Sequence, residues 1–253
     1  MGPAPLRTII VGASSGLGRC LGIGLAQRGA TVALLARRRD RLVDAAKEAG
    51  PGALAIACDV TDEMSCAAAI EEAARGLGGI DALVYATGIG PLGRLADFDA
   101  PAWRSVFDTN VIGAALVTAA AMPYLSESRG VAAYLSSVSA SMTPVWPGLG
   151  AYIVSKAALD KLIEAWRAEH GTVGFTRVIV GDCAGGQGDS FTQFNAGWDP
   201  ELATEVGTLW FTRQYLTGAL LDADELVRMV DTVLRCGPGA CIPTVAVVPR
   251  PPS

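Results

Sequence analysis

The sequence predicts an α/β protein, a doubly wound parallel sheet of about seven strands with helices on both faces, folded as a single domain over residues 1–253. Three observations predict it. Short apolar, β-branched runs alternate along most of the chain with longer stretches of helical period. The runs lack the polar alternation of a half-solvated strand, as strands buried on both faces must. A glycine cluster follows the first run directly and opens a helix. Strand and helix alternating this regularly imply parallel strands joined by right-handed crossovers, which puts helices on both sides of the sheet.

The strand signals lie at 7–11, 31–35, 53–57, 82–85, 131–135, 176–180 and 244–248. Helices are expected to begin near Gly16, Asp40, Thr61, Ala100, Ala151 and Ala223, the first closed by Gly29 and the second by Gly50-Pro51. Residues 181–221 carry no strand signal, and Phe191, Phe194, Trp198, Trp210, Phe211 and Tyr215 are scattered there among glycines and polar residues. An excursion this long in a compact domain is usually functional, so the segment is expected to be a substrate lid, with an aromatic-stapled surface loop as the alternative. The tail from Pro249 is proline-rich and expected to fray.

Composition agrees with a large core. Of 253 residues 51% are hydrophobic, only 18% are charged, and 30 are glycine. The net charge of -5 is spread rather than gathered into runs, which argues against a nucleic-acid partner. Residues 1–7 lack the pattern of a secretory leader and the first apolar run is far too short to span a bilayer, so no membrane association and a cytoplasmic location are expected. The six cysteines form no CxxC pair and His170 is the one histidine, so no metal site is expected. Cys236 and Cys241 flank a Gly-Pro-Gly turn and are expected to be free thiols in a reducing compartment.

The first chemistry-bearing motif is Gly12-Ala13-Ser14-Ser15-Gly16-Leu17-Gly18, between the first strand and its helix. Glycines there let the backbone approach a pyrophosphate, and the helix N-terminus offers free N–H groups and the positive end of its dipole. The spacing Gly-x-x-x-Gly-x-Gly carries one residue more than the standard dinucleotide fingerprint. The second strand ends Ala36-Arg37-Arg38-Arg39, with no carboxylate where a ribose 2′-hydroxyl would need one. Guanidinium groups suit a 2′-phosphate, so Arg37, helped by Arg38, is expected to select NADP(H). Tyr152 and Lys156 lie four apart at the start of a predicted helix, which turns a phenol and an ammonium toward one space.

With its N-terminal glycine motif, its Asn110 and its Tyr-x-x-x-Lys, the sequence resembles the short-chain dehydrogenase/reductase family over nearly its whole length. The resemblance implies a Rossmann-like fold and an oxidoreductase that moves hydride between NADP(H) and a carbonyl or alcohol substrate. By the family pattern Tyr152 is the general acid/base, and Lys156 lowers the phenol's pKa and binds the nicotinamide ribose. Asn110 anchors a water leading to the lysine, and a serine polarises the substrate oxygen. Aligning the fifth strand puts that serine at Ser137, two residues farther from Tyr152 than the family commonly has; Ser139 restores the common spacing. Ser137 is preferred because strand register is harder to shift than loop length.

The family also places Asp59 and Val60 at the adenine, although Asp59 equally reads as part of a helix cap beside Thr61 and Asp62. Two departures from the pattern stand out. The fourth strand ends Tyr85-Ala86-Thr87-Gly88 where the family has two asparagines, though Ala86 and Gly88 still fit a backbone that approaches the cofactor. The family's Pro-Gly after the sixth strand is replaced by Gly181-Asp182-Cys183-Ala184, leaving Asp182 either structural or at the substrate. The alternative function is a catalytically silent NADP(H)-binding sensor on the same fold. By analogy the protein is expected to be a homodimer or homotetramer, pairing the helices around 110–124 and 152–170 through exposed Leu, Ala and Trp166. The aromatic residues of 181–221 favour an apolar substrate.

Overall fold

Each expected run forms a strand: β1 (Arg7–Val11), β2 (Thr31–Ala36), β3 (Leu54–Ala57), β4 (Ala82–Tyr85), β5 (Val131–Ser137), β6 (Gly174–Val180) and β7 (Thr244–Val247). The computed structural model describes residues 4–216 and 218–250. Positions 1–3, 217 and 251–253, which include the end of the proline-rich tail and one residue of the 181–221 segment, lie outside the described residues. The strands form one parallel sheet in the order β3-β2-β1-β4-β5-β6-β7. β5 runs past its apolar stretch because Ser136 and Ser137 pair with Ile179 and Val180 of β6.

Alternate strand residues serve opposite layers, as the two-residue period of a strand dictates. On one face Ile9, Val11, Leu35, Leu83 and Tyr134 pack against helices α3 (Glu63–Leu77), α5 (Gly113–Ser128) and α7 (Gly150–Glu169). On the other, Ile10, Leu34, Val84 and Ala133 pack against α1 (Gly16–Gln27), α2 (Arg39–Ala49) and α9 (Ala223–Leu234). Burying each large aliphatic side chain contributes about 1.5–3 kcal/mol. Both faces of every central strand therefore need apolar residues, and the lack of alternation in the sequence has this cause.

A short helix α4 (Ala100–Phe107), capped by Asp99 through the Ala102 N–H, leads into a wide π-turn at Asp108–Ile112 and then into α5. By length and composition Ala100–Ser128 is long and apolar enough to cross a membrane. Its Ala114, Val117, Ala121 and Leu125 are fully buried against the sheet and α3.

The segment 181–221 holds a helix that strand-seeking missed, α8 (Pro200–Thr212). Its signals are present in the sequence: Asp199 caps the Leu202 N–H at 2.8 Å, Pro200 opens the first turn, and Leu202, Val206 and Trp210 recur at helical spacing. A four-residue turn, α6 (Val138–Ser141), was likewise too short to register as a period.

Candidate active site

Connections change direction between β1 and β4, so the C-terminal ends of these two strands open a crevice at the middle of the sheet. The loop after β1 lines one side. Gly12 has φ +92°, and a Cβ on it would collide with Thr87; a Cβ on Gly18 would collide with the Gly12 carbonyl. Only glycine fits the turn at either position. Ser15 gives α1 no side-chain cap, which leaves the leading N–H groups of the helix available to an anion. The hydroxyls of Ser14 and Ser15 instead accept from Arg38 Nη2 at 2.9 and 2.7 Å. Glycine cradle, helix N-terminus, hydroxyls and guanidinium together fit a dinucleotide pyrophosphate and its neighbouring groups, with Leu17 turned partly into the core.

At the end of β2 it is Arg38, rather than Arg37, that reaches the glycine loop. Arg37 is exposed and acts on Asp59, whose carboxyl is held below the usual carboxylate range mainly by hydrogen bonds from the Thr61 N–H and hydroxyl and to a smaller degree by Arg37. The helix cap proper is Asp62, which accepts from Met64 and Ser65. Val60 is buried and packs beneath Gly113.

Three elements bring the catalytic candidates together. β5 ends at Ser137, whose hydroxyl lies 2.8 Å from that of Ser139 and accepts the Ser139 N–H to cap α6. α7 carries Tyr152 and Lys156, with Nζ 5.8 Å from the phenol ring centroid and donating to the Leu135 carbonyl at 2.7 Å. The π-turn carries Asn110, fully buried. Its Oδ1 accepts from Ile89 N at 2.8 Å, and Nδ2 donates to the Ile89 carbonyl and Ser155 Oγ, each at 2.9 Å. Ser155 in turn donates to the Tyr152 carbonyl. Asn110 thus clamps the loop after β4 to the helix of Tyr152. Gly88 lies on that loop, with an imagined Cβ 3.3 Å from Lys156 Nζ, and Ala86 is tied by its N–H to the Val11 carbonyl.

The strand end that lacks the family's asparagines has its own tie: the buried Tyr85 hydroxyl donates to the Thr109 carbonyl at 2.5 Å. Thr109 lies in the π-turn, where the helical hydrogen-bond ladder is interrupted.

The base of the 181–221 segment is closed by Leu221 N donating to the Asp182 carbonyl at 2.7 Å and by the Cys183 thiol on the Leu221 carbonyl. Asp182 therefore serves the loop's foot through its backbone, and burial raises its carboxyl. From this foot the chain returns over the crevice. Thr192 Cα lies 3.6 Å from where a Gly16 Cβ would be, and Phe194 meets Tyr152. Trp198 donates to the Gly90 carbonyl, Trp210 to that of Pro147, and Trp146 packs on Trp210.

A family model described as short chain dehydrogenase matches residues 7–196. The chain belongs to the short-chain dehydrogenase/reductase family. A short chain dehydrogenase of Pseudocercospora fijiensis is 38% identical over 168 residues, 64% of this chain and 53% of that protein. The 11-beta-hydroxysteroid dehydrogenase A of Sesamum indicum is 35% identical over 179 residues, 68% of this chain and 51% of that protein. The chain thus spans about half the length of the curated relatives it matches. The alcohol dehydrogenase of Thermococcus sibiricus, solved with 5-hydroxy-NADP, superposes with a TM-score of 0.78 over 97% of this chain and 96% of that one at 22% identity. The family's enzymes are oxidoreductases that use a nicotinamide dinucleotide on small molecules.

Within this short-chain dehydrogenase/reductase site, burial governs titration. It pushes the Tyr152 phenol up to about 12; the hydrogen bond with Ser137 works the other way and the charge of Asp160 adds to the rise. Burial also pushes Lys156 down to about 8, opposed by Asp160. Desolvation of the phenol itself sets the direction of its shift. At neutral pH the phenol holds its proton, as a proton donor to a carbonyl must.

Sequence reasoning overlooked Thr192 and Asp160 and placed Phe194 only as one of many scattered aromatics. Asp160 had a legible signal, since it follows Lys156 by four helical residues; Thr192 had none. Trp166, expected among exposed apolar contacts, is partly buried and stacks on Phe175 at 6.2 Å.

Proposed function

We propose that this protein transfers hydride between NADP(H) and a carbonyl or alcohol substrate, with Tyr152 as the general acid/base. The observation that carries the reading is the partly buried Tyr152 phenol, with Lys156 Nζ 5.8 Å from its ring and Ser137 at the end of β5, beside the glycine loop at the sheet's crevice. When bound, the dinucleotide supplies or accepts the hydride. Ser137 orients the substrate oxygen, Tyr152 gives or takes its proton, and Lys156 provides the positive charge that stabilises a phenolate. Gly12, Gly16 and Gly18 admit the pyrophosphate, and Asp59 and Val60 border the adenine. Arg38, with Arg37 beside it, holds the 2′-phosphate; the absence of a carboxylate at the end of β2 supports NADP(H) over NAD(H).

Residues 181–221 act as a lid over the substrate. Phe194 and Trp198 of this segment pack in one apolar cluster with Leu92, Trp146 and Tyr152, which suits an apolar carbonyl compound. The protein works as a single cytoplasmic domain and assembles as a homodimer or homotetramer across α5 and α7, near which Ile112 and Val154 are exposed.

Fluorescence titration with NADPH and NADH, followed by a panel of apolar ketones and aldehydes read by nicotinamide absorbance in wild type and Tyr152→Phe, tests the reading. Tighter NADPH binding and turnover lost in the variant are expected. Binding without turnover would instead identify a silent cofactor-binding protein.

A further inference from the structure

Lys156 and Asp160 stand four residues apart on α7, on the face that packs against β5 and β6. Both are nearly inaccessible, Lys156 at 4% and Asp160 at 5% exposure. Among the described residues the only ion pair of Asp160 is a single contact of 3.2 Å between its Oδ2 and Arg177 Nη1 on β6. The fork is incomplete: Asp160 Oδ1, Arg177 Nε and the nearby Ser136 Oγ on β5 are all buried without a well-formed hydrogen bond. A carboxylate kept for stability alone is expected to be bidentate and fully satisfied, because burying an incompletely paired charge is costly. Such a group beside a candidate site points to a role in the chemistry.

The charged and titratable groups around Asp160 are few. Its own helix contributes Lys156 and Tyr152, and Glu164 lies one turn on at the surface. β6 contributes Arg177, and β5 the hydroxyl of Ser136; Tyr134, the strand neighbour of Arg177, bonds Thr118 instead. Among the described residues Lys156 therefore has one anionic neighbour within the core, and Asp160 has Arg177 and Lys156 as its two cations.

We propose that Asp160, braced by Arg177, is a positioning residue for Lys156: it supplies the counter-charge that keeps the buried ammonium protonated and in place beside Tyr152. The proposal rests on the reading of Tyr152 and Lys156 as the proton-handling pair. Electrostatics agree in direction. Burial drives Lys156 down, with Asp160 holding it up. Burial drives Asp160 up, with Ser136, Arg177 and Lys156 bringing it back. Without the carboxylate, Lys156 loses its proton at lower pH. In carbonyl reduction the high-pH limb of the rate profile moves down with it.

The test is a pH titration of lysine side chains by NMR, with Lys156 assigned by its absence from the spectrum of Lys156→Met. In Asp160→Asn the Lys156 midpoint is expected to fall by about one pH unit or more relative to wild type. Asp160→Asn/Arg177→Gln avoids stranding a buried guanidinium, should the single variant not fold, and is expected to shift the midpoint the same way. An unchanged midpoint in the folded variants overturns the assignment. Rate profiles with an apolar ketone separate the two readings: a shifted midpoint with no turnover even in wild type would overturn the oxidoreductase reading while leaving Asp160 as the counter-charge of Lys156.

Discussion

Phe194 presents its ring to Tyr152 edge-on, with centroids 4.9 Å apart and planes at 69°. One residue comes from the return of the 181–221 segment and the other from the first turn of α7, so the contact couples coverage of the crevice to the state of the phenol. Removing the ring with Phe194→Ala exposes the phenol. Burial is the main cause of its rise to about 12, so its titration is expected to fall toward that of an ordinary tyrosine. Because Lys156 titrates below the phenol, the fall is read directly in the alkaline ultraviolet titration profile of Tyr152, assigned by comparison with Tyr152→Phe. A profile superimposable on wild type would show that Phe194 does not govern burial of the site.

Ser137 and Ser139 lie hydroxyl to hydroxyl, and it is Ser137 that opposes the rise of the Tyr152 phenol. Ser137→Ala is expected to lower kcat/KM by about 10²- to 10³-fold, the usual effect of losing one hydrogen-bond donor at a developing oxyanion. Ser139→Ala should cost much less. Steady-state kinetics on both variants decide between them, and the reverse order would move the role to Ser139.

Tyr85→Phe leaves the buried Thr109 carbonyl without its donor. An unsatisfied buried acceptor costs about 1–3 kcal/mol, to be read as a lower midpoint in urea unfolding. Because Thr109 adjoins Asn110, activity is expected to drop as well. An unchanged midpoint would mean the π-turn does not need this anchor.

Arg38→Ala is expected to weaken NADPH binding by about 10- to 100-fold, the equivalent of one charge-assisted hydrogen bond, with NADH binding nearly unchanged. Arg37→Ala should do less, since it is Arg38 whose guanidinium bonds Ser14 and Ser15 of the glycine loop. Fluorescence titration of both variants checks the order. Equal loss for both cofactors would place Arg38 at the pyrophosphate instead.

The Phe194, Ser137, Tyr85 and Arg38 relationships differ in how far the linear sequence announced them. Uninterrupted apolar runs made all seven strands legible, because a strand buried on two faces has little freedom in composition. The glycine motif was legible because the positive φ of Gly12 and the collision a Gly18 Cβ would make with the Gly12 carbonyl both arise within one turn, whereas the approach of Thr87 to Gly12 needed the folded chain. Tyr152 and Lys156 were legible because helical periodicity relates them without reference to any other element. What sequence determined was therefore the order and kind of the elements and the groups carried by a single turn or a single helix.

Relations between distant elements needed the folded chain. That Arg38 rather than Arg37 reaches Ser14 and Ser15 depends on how the end of β2 meets the start of α1. That Tyr85 replaces the missing asparagines depends on the π-turn arriving over β4. Asp160 finds Arg177 only across the packing of α7 on β6, and Phe194 finds Tyr152 only after the forty-residue excursion has closed at Asp182 and Leu221. The directions in which burial pushes Tyr152 and Lys156 also needed the folded chain, since desolvation is a property of everything packed around a side chain and not of its neighbours in the sequence.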